Sequence, residues 1–346
     1  MRLNYFDYFR AIAIVFIVAG HSFTPWAIDS FPEMVIANLI TGGTALFVFI
    51  SGFFFHHVFY SNFHYKKFII KKSKKIFLPY VVLTIIGFFL IVVYLKKPHP
   101  MLTNDLNSSY DICILFFQYL LTGRTLTAYW YIPFIMVIFI ISPVFIKYIS
   151  LSIQKQIYIF IFMLCISMLV HRPVSGLSPL HSVIYFSPIY LLGIIFSLKQ
   201  AEVLKYIKNK SLLLAILVLV TSLAQVIIYD SYSNFHKADI FSYNGIDIII
   251  IQKIFMIFFF LSVLIKIDHK EIPFLKYIAS ISFAIYFLHP YILFFLSYST
   301  VIKYINFLPG LAIFFIKTFF TIIISIVAAI LLKKVLHKKS AYIIGW

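Results

Sequence analysis

Long apolar runs separated by short polar and basic segments dominate the chain. A helix needs about 20 mostly apolar residues to cross a bilayer, and ten runs approach or reach this length. They lie at about residues 9–27, 36–55, 76–95, 128–148, 156–171, 182–198, 211–229, 247–265, 277–296 and 310–332. A shorter run at 111–122 predicts an interfacial or re-entrant helix before the fourth span. The pattern predicts an all-α polytopic membrane protein with about ten transmembrane helices.

The composition excludes a soluble globular protein. Of the 346 residues, 62% are hydrophobic and 12% are charged, whereas a soluble domain is roughly half apolar and a quarter charged. No internal repeat is visible, so we expect residues 1–346 to form a single membrane-embedded domain without an appended soluble domain. The two cysteines, Cys113 and Cys165, lie far apart and predict neither a disulfide nor a metal site.

The positive charges predict the orientation in the membrane. If the N terminus is inside, 21 of the 29 Lys and Arg residues fall in cytoplasmic segments and six fall outside. This bias and the even number of spans predict that both termini are cytoplasmic. Topology therefore explains the formal net charge of +18, and we expect no nucleic-acid partner. The ratio of 25 Lys to 4 Arg is associated with AT-rich bacterial genomes.

Two polar residues in the first span indicate a buried site, because charged groups in hydrocarbon are costly. Arg10 and His21 are eleven residues apart, which places them on one helical face, about 16 Å apart along the axis. Asp7 precedes Arg10 by three residues and can pair with it. The alternative is that Arg10 extends to the interface and His21 only hydrogen-bonds a neighbouring helix.

The ninth span contains Tyr286 and His289. His289 lies about as deep in the bilayer as His21 is expected to lie, which favours a shared polar site. Lys253 and Lys317 also fall inside spans, and packing beside a carboxylate or a carbonyl is their expected role.

A cluster of six lysines before the third span includes Lys71, Lys72 and Lys75. Such a cluster either anchors topology and binds anionic lipid or meets a phosphate-rich cytosolic ligand. The glycines and Ser51 of the second span indicate either close helix packing or a backbone that approaches a ligand. Trp130 and the residue after it fit an interfacial aromatic belt as well as they fit a sugar-stacking surface.

The order of these motifs resembles that of integral-membrane acyltransferase family 3. The matching segments are Asp7-x-x-Arg10 followed by His21, Phe47-x-x-x-Ser51-Gly52-Phe53, the lysine cluster ending in Pro79-Tyr80, Trp130-Tyr131-Ile132, and Ser282 to His289. The family usually has two arginines where this chain has Lys72 and Lys75. The charge is kept there, but planar bidentate recognition of phosphate is lost.

The resemblance implies a membrane enzyme that moves an acyl group, most often acetyl, from cytosolic acyl-CoA to a hydroxyl. Acetyl-CoA is then a donor substrate rather than a tightly bound cofactor. The expected partners are a glycan or lipid-linked saccharide acceptor and the lipids of the cell membrane, and a homo-oligomer is left open.

Roles follow from the resemblance for eleven residues. The resemblance implies a catalytic role for His21 and Arg10. It implies donor binding by Arg10, Lys71, Lys72 and Lys75. It implies substrate binding by Asp7, Ser51, Trp130, Tyr131, Tyr286 and His289. In this hypothesis His21 is the general base, and a transient acyl-histidine is the open alternative. His289 and Tyr286 stabilise the oxyanion or orient the acceptor, and Trp130 and Tyr131 stack on a sugar at the outer rim.

Two functions of other classes compete with the enzyme. A transporter or flippase for a lipid-linked sugar also uses buried Arg, Lys and His along its substrate path. The sequence argues against it, because neither repeat symmetry nor paired broken helices are expected here. A structural subunit of a glycan-export assembly is the third possibility.

Overall fold

The computed structural model describes residues 3–23, 28, 30–102, 108–233, 235–298 and 308–346, and these are almost entirely helical. The helices are α1 (Asn4–Gly20), α2 (Phe31–Ile40), α3 (Thr44–Phe54), α4 (Tyr65–Lys72), α5 (Leu78–Phe88), α6 (Ser109–Thr122), α7 (Tyr131–Ile140), α8 (Ser142–Ile149), α9 (Ile153–Val170), α10 (Pro179–Leu198), α11 (Gln200–Ile207), α12 (Ser211–Tyr229), α13 (Ile248–Leu264), α14 (Pro273–Ser280), α15 (Ser282–Tyr298), α16 (Gly310–Leu336) and α17 (Ser340–Ile343).

Short π-helical or 3-10 segments extend several of these helices. They are Phe55–Phe59, Tyr60–Asn62, Ser73–Phe77, Phe89–Tyr94, Val174–Gly176, Ile265–Ile267 and His337–Lys339. One parallel pairing of two residues joins β1 (Arg172–Pro173) to β2 (His236–Lys237). This pairing ties together two loops that are distant in sequence.

The described residues contain seven helical segments that are long and apolar enough to cross a membrane, and two bent helix pairs raise the number to nine. The seven are Phe31–Asn62, Tyr65–Tyr94, Ile153–Val170, Pro179–Leu198, Ser211–Tyr229, Ile248–Ile267 and Gly310–Ile343. The prediction of an all-α polytopic membrane protein is confirmed. Ten spans and cytoplasmic termini stay predictions. The first predicted span, 9–27, matches α1 only in part, because α1 has 17 residues and ends at Gly20, and residues 24–27 lie outside the described ranges.

Three of the predicted spans contain a break in the helix. The second span is interrupted between α2 and α3, where Gly42 adopts a φ of +78° that favours glycine. The fourth bends by 56° between α7 and α8. Pro143 stands at the start of α8, where it cannot donate the amide hydrogen that would continue α7. The ninth bends by 69° between α14 and α15.

Helix α1 lies in the interior of the bundle, with α3, α13, α14, α15 and α16 packed around it. Its aromatic side chains stack on those of α3, as in the pair of Phe6 and Phe53, whose ring centroids are 3.7 Å apart. Helix α3 in turn contacts α10 through glycines. A Cβ on Gly52 would collide with the carbonyl oxygen of Tyr190, so close packing explains this glycine of the second-span motif.

Helix α6 matches the short run predicted before the fourth span. Ser108 and Asp111 form a capping box at its N terminus, and Gly123, with a φ of +70°, ends it. The chain then turns through residues 124–130 into α7. This turn brings Arg124 and Thr127 next to the end of α1.

Candidate active site

Helix α1 carries Arg10 in its first half, and His21 directly follows its last residue. Arg10 donates from Nη2 to Ser282 Oγ at 3.2 Å, and its Nη1 lies 3.9 Å from Asp7 Oδ1. The predicted pairing of Asp7 with Arg10 is confirmed. His21 is the first residue after α1, and its backbone amide donates to the Val18 carbonyl at 3.1 Å. The helix therefore separates a guanidinium from an imidazole by most of its length.

His21 and His289 meet, as their matched depth in the sequence suggested. Their ring centroids are 5.6 Å apart at an interplanar angle of 30°. His289 is fully buried, and its Nδ1 lies 3.0 Å from the Ile285 carbonyl oxygen. Because a carbonyl only accepts, Nδ1 carries the hydrogen and Nε2 is left as an acceptor. Within the described ranges this buried Nε2 has no hydrogen-bond partner.

A cavity of about 250 Å³ opens beside His21, and we call it the histidine cavity. Its lining includes His21, Arg124, Thr127, Arg172 and His236. Thr127 Oγ1 lies 3.2 Å from His21 Nδ1, so this hydroxyl fixes the orientation of the imidazole. The sequence analysis missed every lining residue named here except His21.

One signal in the composition could have found two of the missed residues. The chain contains 25 lysines and four arginines, so an arginine marks a position where lysine did not suffice. Arg10, Arg124 and Arg172 all line cavities.

A second cavity, of about 480 Å³, shares His21, Arg124 and Thr127 with the histidine cavity. Its remaining lining is largely hydrophobic and includes Leu126 and Phe294, so we call it the apolar cavity. The imidazole of His21 thus stands where a polar space and an apolar space adjoin.

The Arg10 end of α1 has its own cavity, of about 410 Å³, which we call the basic cavity. Arg10, Ser51, Lys72, Lys75 and Tyr131 are among its lining residues. The structure therefore brings together residues that the sequence had gathered from four separate segments. The Ser51 and Tyr131 hydroxyls lie 3.4 Å apart across this cavity.

Aromatic rings hold Lys72 in the basic cavity. Its ammonium lies 4.8 Å from the ring centroid of Phe59 and 4.5 Å from that of Phe139, within the range of a cation–π contact. Lys71 lines a neighbouring cleft with Lys67, and its ammonium lies 5.3 Å from the centroid of the same Phe59 ring. Lys71 is therefore close to Lys72 but is not among the residues that line the basic cavity.

Trp130 and Tyr131 lie in different cavities, and their stacking on a sugar stays a prediction. Trp130 lines the histidine cavity, whereas Tyr131 lines the basic cavity, because successive residues at the start of α7 point in different directions. Tyr286 does not offer a free hydroxyl either, since its Oη donates to the Ala128 carbonyl at 2.6 Å. It therefore positions the turn that carries Thr127.

Three rings occupy the space between the basic and histidine cavities. The Tyr286 ring centroid lies 5.9 Å from that of Tyr131 and 6.0 Å from that of His289. His289 in turn contacts the His21 ring. A ligand that reaches from one cavity to the other must pass these side chains.

The two lysines inside spans have different surroundings. Lys253 Nζ donates to the Asn38 carbonyl oxygen at 2.8 Å, which confirms the expected packing beside a carbonyl. Lys317 lines the apolar cavity. It thereby adds a cation to a mainly hydrophobic wall.

Comparison with known families agrees with this arrangement. The family model Acyl_transf_3, described as an acyltransferase domain, matches residues 3–330, a range that includes all three cavities. No curated protein and no solved structure gives a significant match. The family match does not support the alternative of a transporter. The chain therefore belongs to acyltransferase family 3 and is a multi-pass membrane acyltransferase.

Proposed function

We propose that the protein transfers an acyl group, normally acetyl, from cytosolic acyl-CoA to a hydroxyl of a cell-surface polysaccharide or lipid-linked glycan. The membrane in question is the bacterial plasma membrane. One observation carries the proposal: α1 has a basic cavity at its Arg10 end and the paired histidines with their own cavity at its other end. Such a site suits a polyanionic donor on one side and a polar acceptor on the other.

The basic cavity receives the donor. Arg10, Lys72 and Lys75 supply positive charge for the phosphates of acyl-CoA, and the aromatic rings around Lys72 hold its ammonium in place. The long, thin pantetheine arm then passes Tyr131 towards the histidines. Because Tyr131 and Tyr286 fill this path in the structure, delivery of the thioester requires Tyr131 to move away from Ser51.

His21 acts as the general base. When its Nδ1–H donates to Thr127 Oγ1, its Nε2 is free to take the proton of the acceptor hydroxyl. The hydroxyl oxygen attacks the thioester carbonyl carbon, the carbon–sulfur bond breaks, and the CoA sulfur takes the proton back from His21. The atoms balance without a further reactant.

His289 has a narrower role than the sequence suggested. Since its Nδ1–H is engaged by the Ile285 carbonyl, the neutral ring has no hydrogen left for an oxyanion. Its Nε2 accepts instead, either from the acceptor hydroxyl or from the protonated His21. His289 therefore orients the acceptor or stabilises the imidazolium.

The test is acyl transfer by the purified protein in lipid nanodiscs. With labelled acetyl-CoA we expect label in a glycan acceptor, or slow release of CoA to water when no acceptor is present. Surface glycans of a deletion strain, examined by NMR and mass spectrometry, should lack an O-acyl group that the parent carries. Unchanged glycans together with neither transfer nor CoA release would contradict the proposal.

A further inference from the structure

The histidine cavity contains two guanidinium groups that the proposed proton transfer does not use. Arg124 follows the glycine that ends α6, and Arg172 lies in β1. Among the described residues, neither forms an ion pair with a carboxylate, and the described lining of this cavity contains no Asp or Glu. Among the residues that the structure describes, two cations thus face the same small space without a carboxylate in contact.

Asp247, the acidic residue that acts on Arg172, already accepts hydrogen bonds from other groups. Asp247 acts on Arg172 only through a longer-range Coulombic attraction. Its Oδ2 accepts from Tyr185 Oη at 2.7 Å, and its Oδ1 accepts the backbone amides of Ile249 and Ile250. Asp247 therefore caps α13 and does not neutralise the cavity.

Both guanidinium groups are held so that donors stay available. The Cζ of Arg172 lies 5.0 Å from the ring centroid of Trp130, a stacking contact that leaves the N–H edge of the fork free. Arg124 Nη2 lies 3.0 Å from His99 Nε2, and its buried Nε has no partner within the described residues. Each group is fixed by a neutral aromatic neighbour and keeps unused N–H donors.

The surrounding titratable groups add no negative charge. Desolvation, followed by the positive charges of Arg172 and Arg124, lowers the pKa of His236 well below its usual range, so this ring is neutral at pH 7. Burial also lowers the pKa of both arginines. A bound anion would offset the unfavourable burial of these two charges.

We propose that the acceptor carries an anionic group, a phosphate or a carboxylate, close to the hydroxyl that is acylated, and that Arg124 and Arg172 bind this group. The inference rests on the proposed acyl transfer and names the acceptor class. Arg supplies paired N–H donors that match either oxyanion. The chain has 25 lysines and four arginines, and two of the four arginines line this cavity.

Two kinds of acceptor carry such an anion. A sugar acid carries its own carboxylate, whereas a sugar on a lipid carries a phosphate next to hydrocarbon. Because Arg124 and His21 also line the apolar cavity, a lipid phosphate would place its chain there and its sugar in the histidine cavity.

The experiment compares matched acceptors with the full-length protein in nanodiscs and labelled acetyl-CoA. The acceptors are N-acetylglucosamine, its 1-phosphate, the same sugar on a prenyl diphosphate, and the pair of glucose and glucuronic acid. We expect the KM of an anionic acceptor to be at least about tenfold below that of its neutral partner, as for hydrogen bonds to charged groups. A lower KM for glucuronic acid than for glucose assigns the anion to a sugar acid, whereas a lower KM confined to the phosphates, and lowest for the lipid-linked one, assigns it to a lipid phosphate.

Two variants locate the effect, a third tests how far lysine can replace arginine, and a fourth is the control. Arg124→Gln and Arg172→Gln should each raise the KM for anionic acceptors about tenfold and leave the KM for neutral acceptors and for acetyl-CoA unchanged. Arg172→Lys should recover part of the loss. Lys96→Gln removes an exposed loop cation that does not line a described cavity, and it should change none of these values.

Binding without turnover separates the inference from the proposed function. The His21→Ala protein should bind N-acetylglucosamine 1-phosphate more tightly than the neutral sugar, and addition of Arg172→Gln should abolish the difference. Equal KM values for charged and neutral acceptors, or a raised KM for acetyl-CoA in the arginine variants, would overturn the inference. Failure of the parent protein to transfer any acyl group contradicts the proposed function instead, while the binding measurement still decides on the anion.

Discussion

The two ends of α1 differ in the cations that line their cavities. At the Arg10 end, Lys72 and Lys75 line the basic cavity, with Lys72 held against aromatic rings, and the one arginine there, Arg10, contacts Ser282 and Asp7. At the His21 end, Arg124 and Arg172 line a smaller cavity next to a pair of imidazoles. Lysine offers a compact, rotatable charge, whereas arginine offers a rigid fork of donors. The difference indicates charge attraction at one end and directional recognition at the other.

The largest expected effect belongs to His21. His21→Ala should lower kcat for acyl transfer by about 10³-fold, because it removes the general base, while the protein still inserts and binds acetyl-CoA. Steady-state transfer of labelled acetyl and equilibrium binding of the donor measure the two properties. Full activity in this variant would move the chemistry away from the His21 end.

His289 should show a smaller loss. His289→Ala removes Nε2, a buried acceptor that has no hydrogen-bond partner among the described residues. Because this acceptor assists the proton transfer, we expect kcat to fall by about 10²-fold, the lower end of the range for general acid–base groups. His289→Gln keeps a hydrogen-bond acceptor at this position, so its kcat is compared with that of His289→Ala. Equal loss in the His21→Ala and double-alanine proteins would show that the two rings act as one unit.

The basic cavity should respond in KM rather than in kcat. Lys72→Gln with Lys75→Gln should raise the KM for acetyl-CoA about tenfold, because two charge-assisted contacts to phosphate are lost. Lys71→Gln is the matched control: it removes a neighbouring lysine that lines a different cleft. If Lys71→Gln raises the KM for acetyl-CoA as much as the changes at Lys72 and Lys75 do, the lysine cluster serves topology and lipid binding. The two ends of α1 then differ less than proposed.

Thr127 should give the smallest change. Thr127→Val removes the hydroxyl 3.2 Å from His21 Nδ1 and keeps the side-chain shape, so we expect kcat to fall about tenfold as the imidazole loses its orientation, about the worth of one hydrogen bond. Thr127→Ser should stay close to the parent. A pH profile of kcat adds a second reading, since loss of this contact shifts the apparent pKa of the base, whereas a purely structural defect does not.

Much of the fold followed from the hydrophobic pattern, because bilayer thickness sets the length of an apolar run. Runs such as 182–198 and 211–229 correspond closely to α10 and α12. The breaks did not follow from it. A proline at the start of α8 and the bend before Ser282 interrupt backbone hydrogen bonding without lowering hydropathy.

The candidate site was predictable where one helix carried it and not where loops did. Arg10 and His21 follow from helical spacing, and His289 follows from matched depth. Arg124, Thr127 and Arg172 reach His21 only because α6 ends at Gly123 and because β1 pairs with β2. No local pattern reports such a tertiary contact. The scarcity of arginine points to Arg124 and Arg172, whereas no sequence signal points to Thr127.

The short pairing of β1 with β2 has an evolutionary consequence. It builds the roof over the histidine cavity from two loops, and loops tolerate substitution and insertion far better than packed helices do. The basic cavity, by contrast, is lined mainly by residues of helices. Under the proposed function, relatives of this enzyme can therefore diverge in the acceptors they modify by exchanging these loops, while the helices around the basic cavity stay the same.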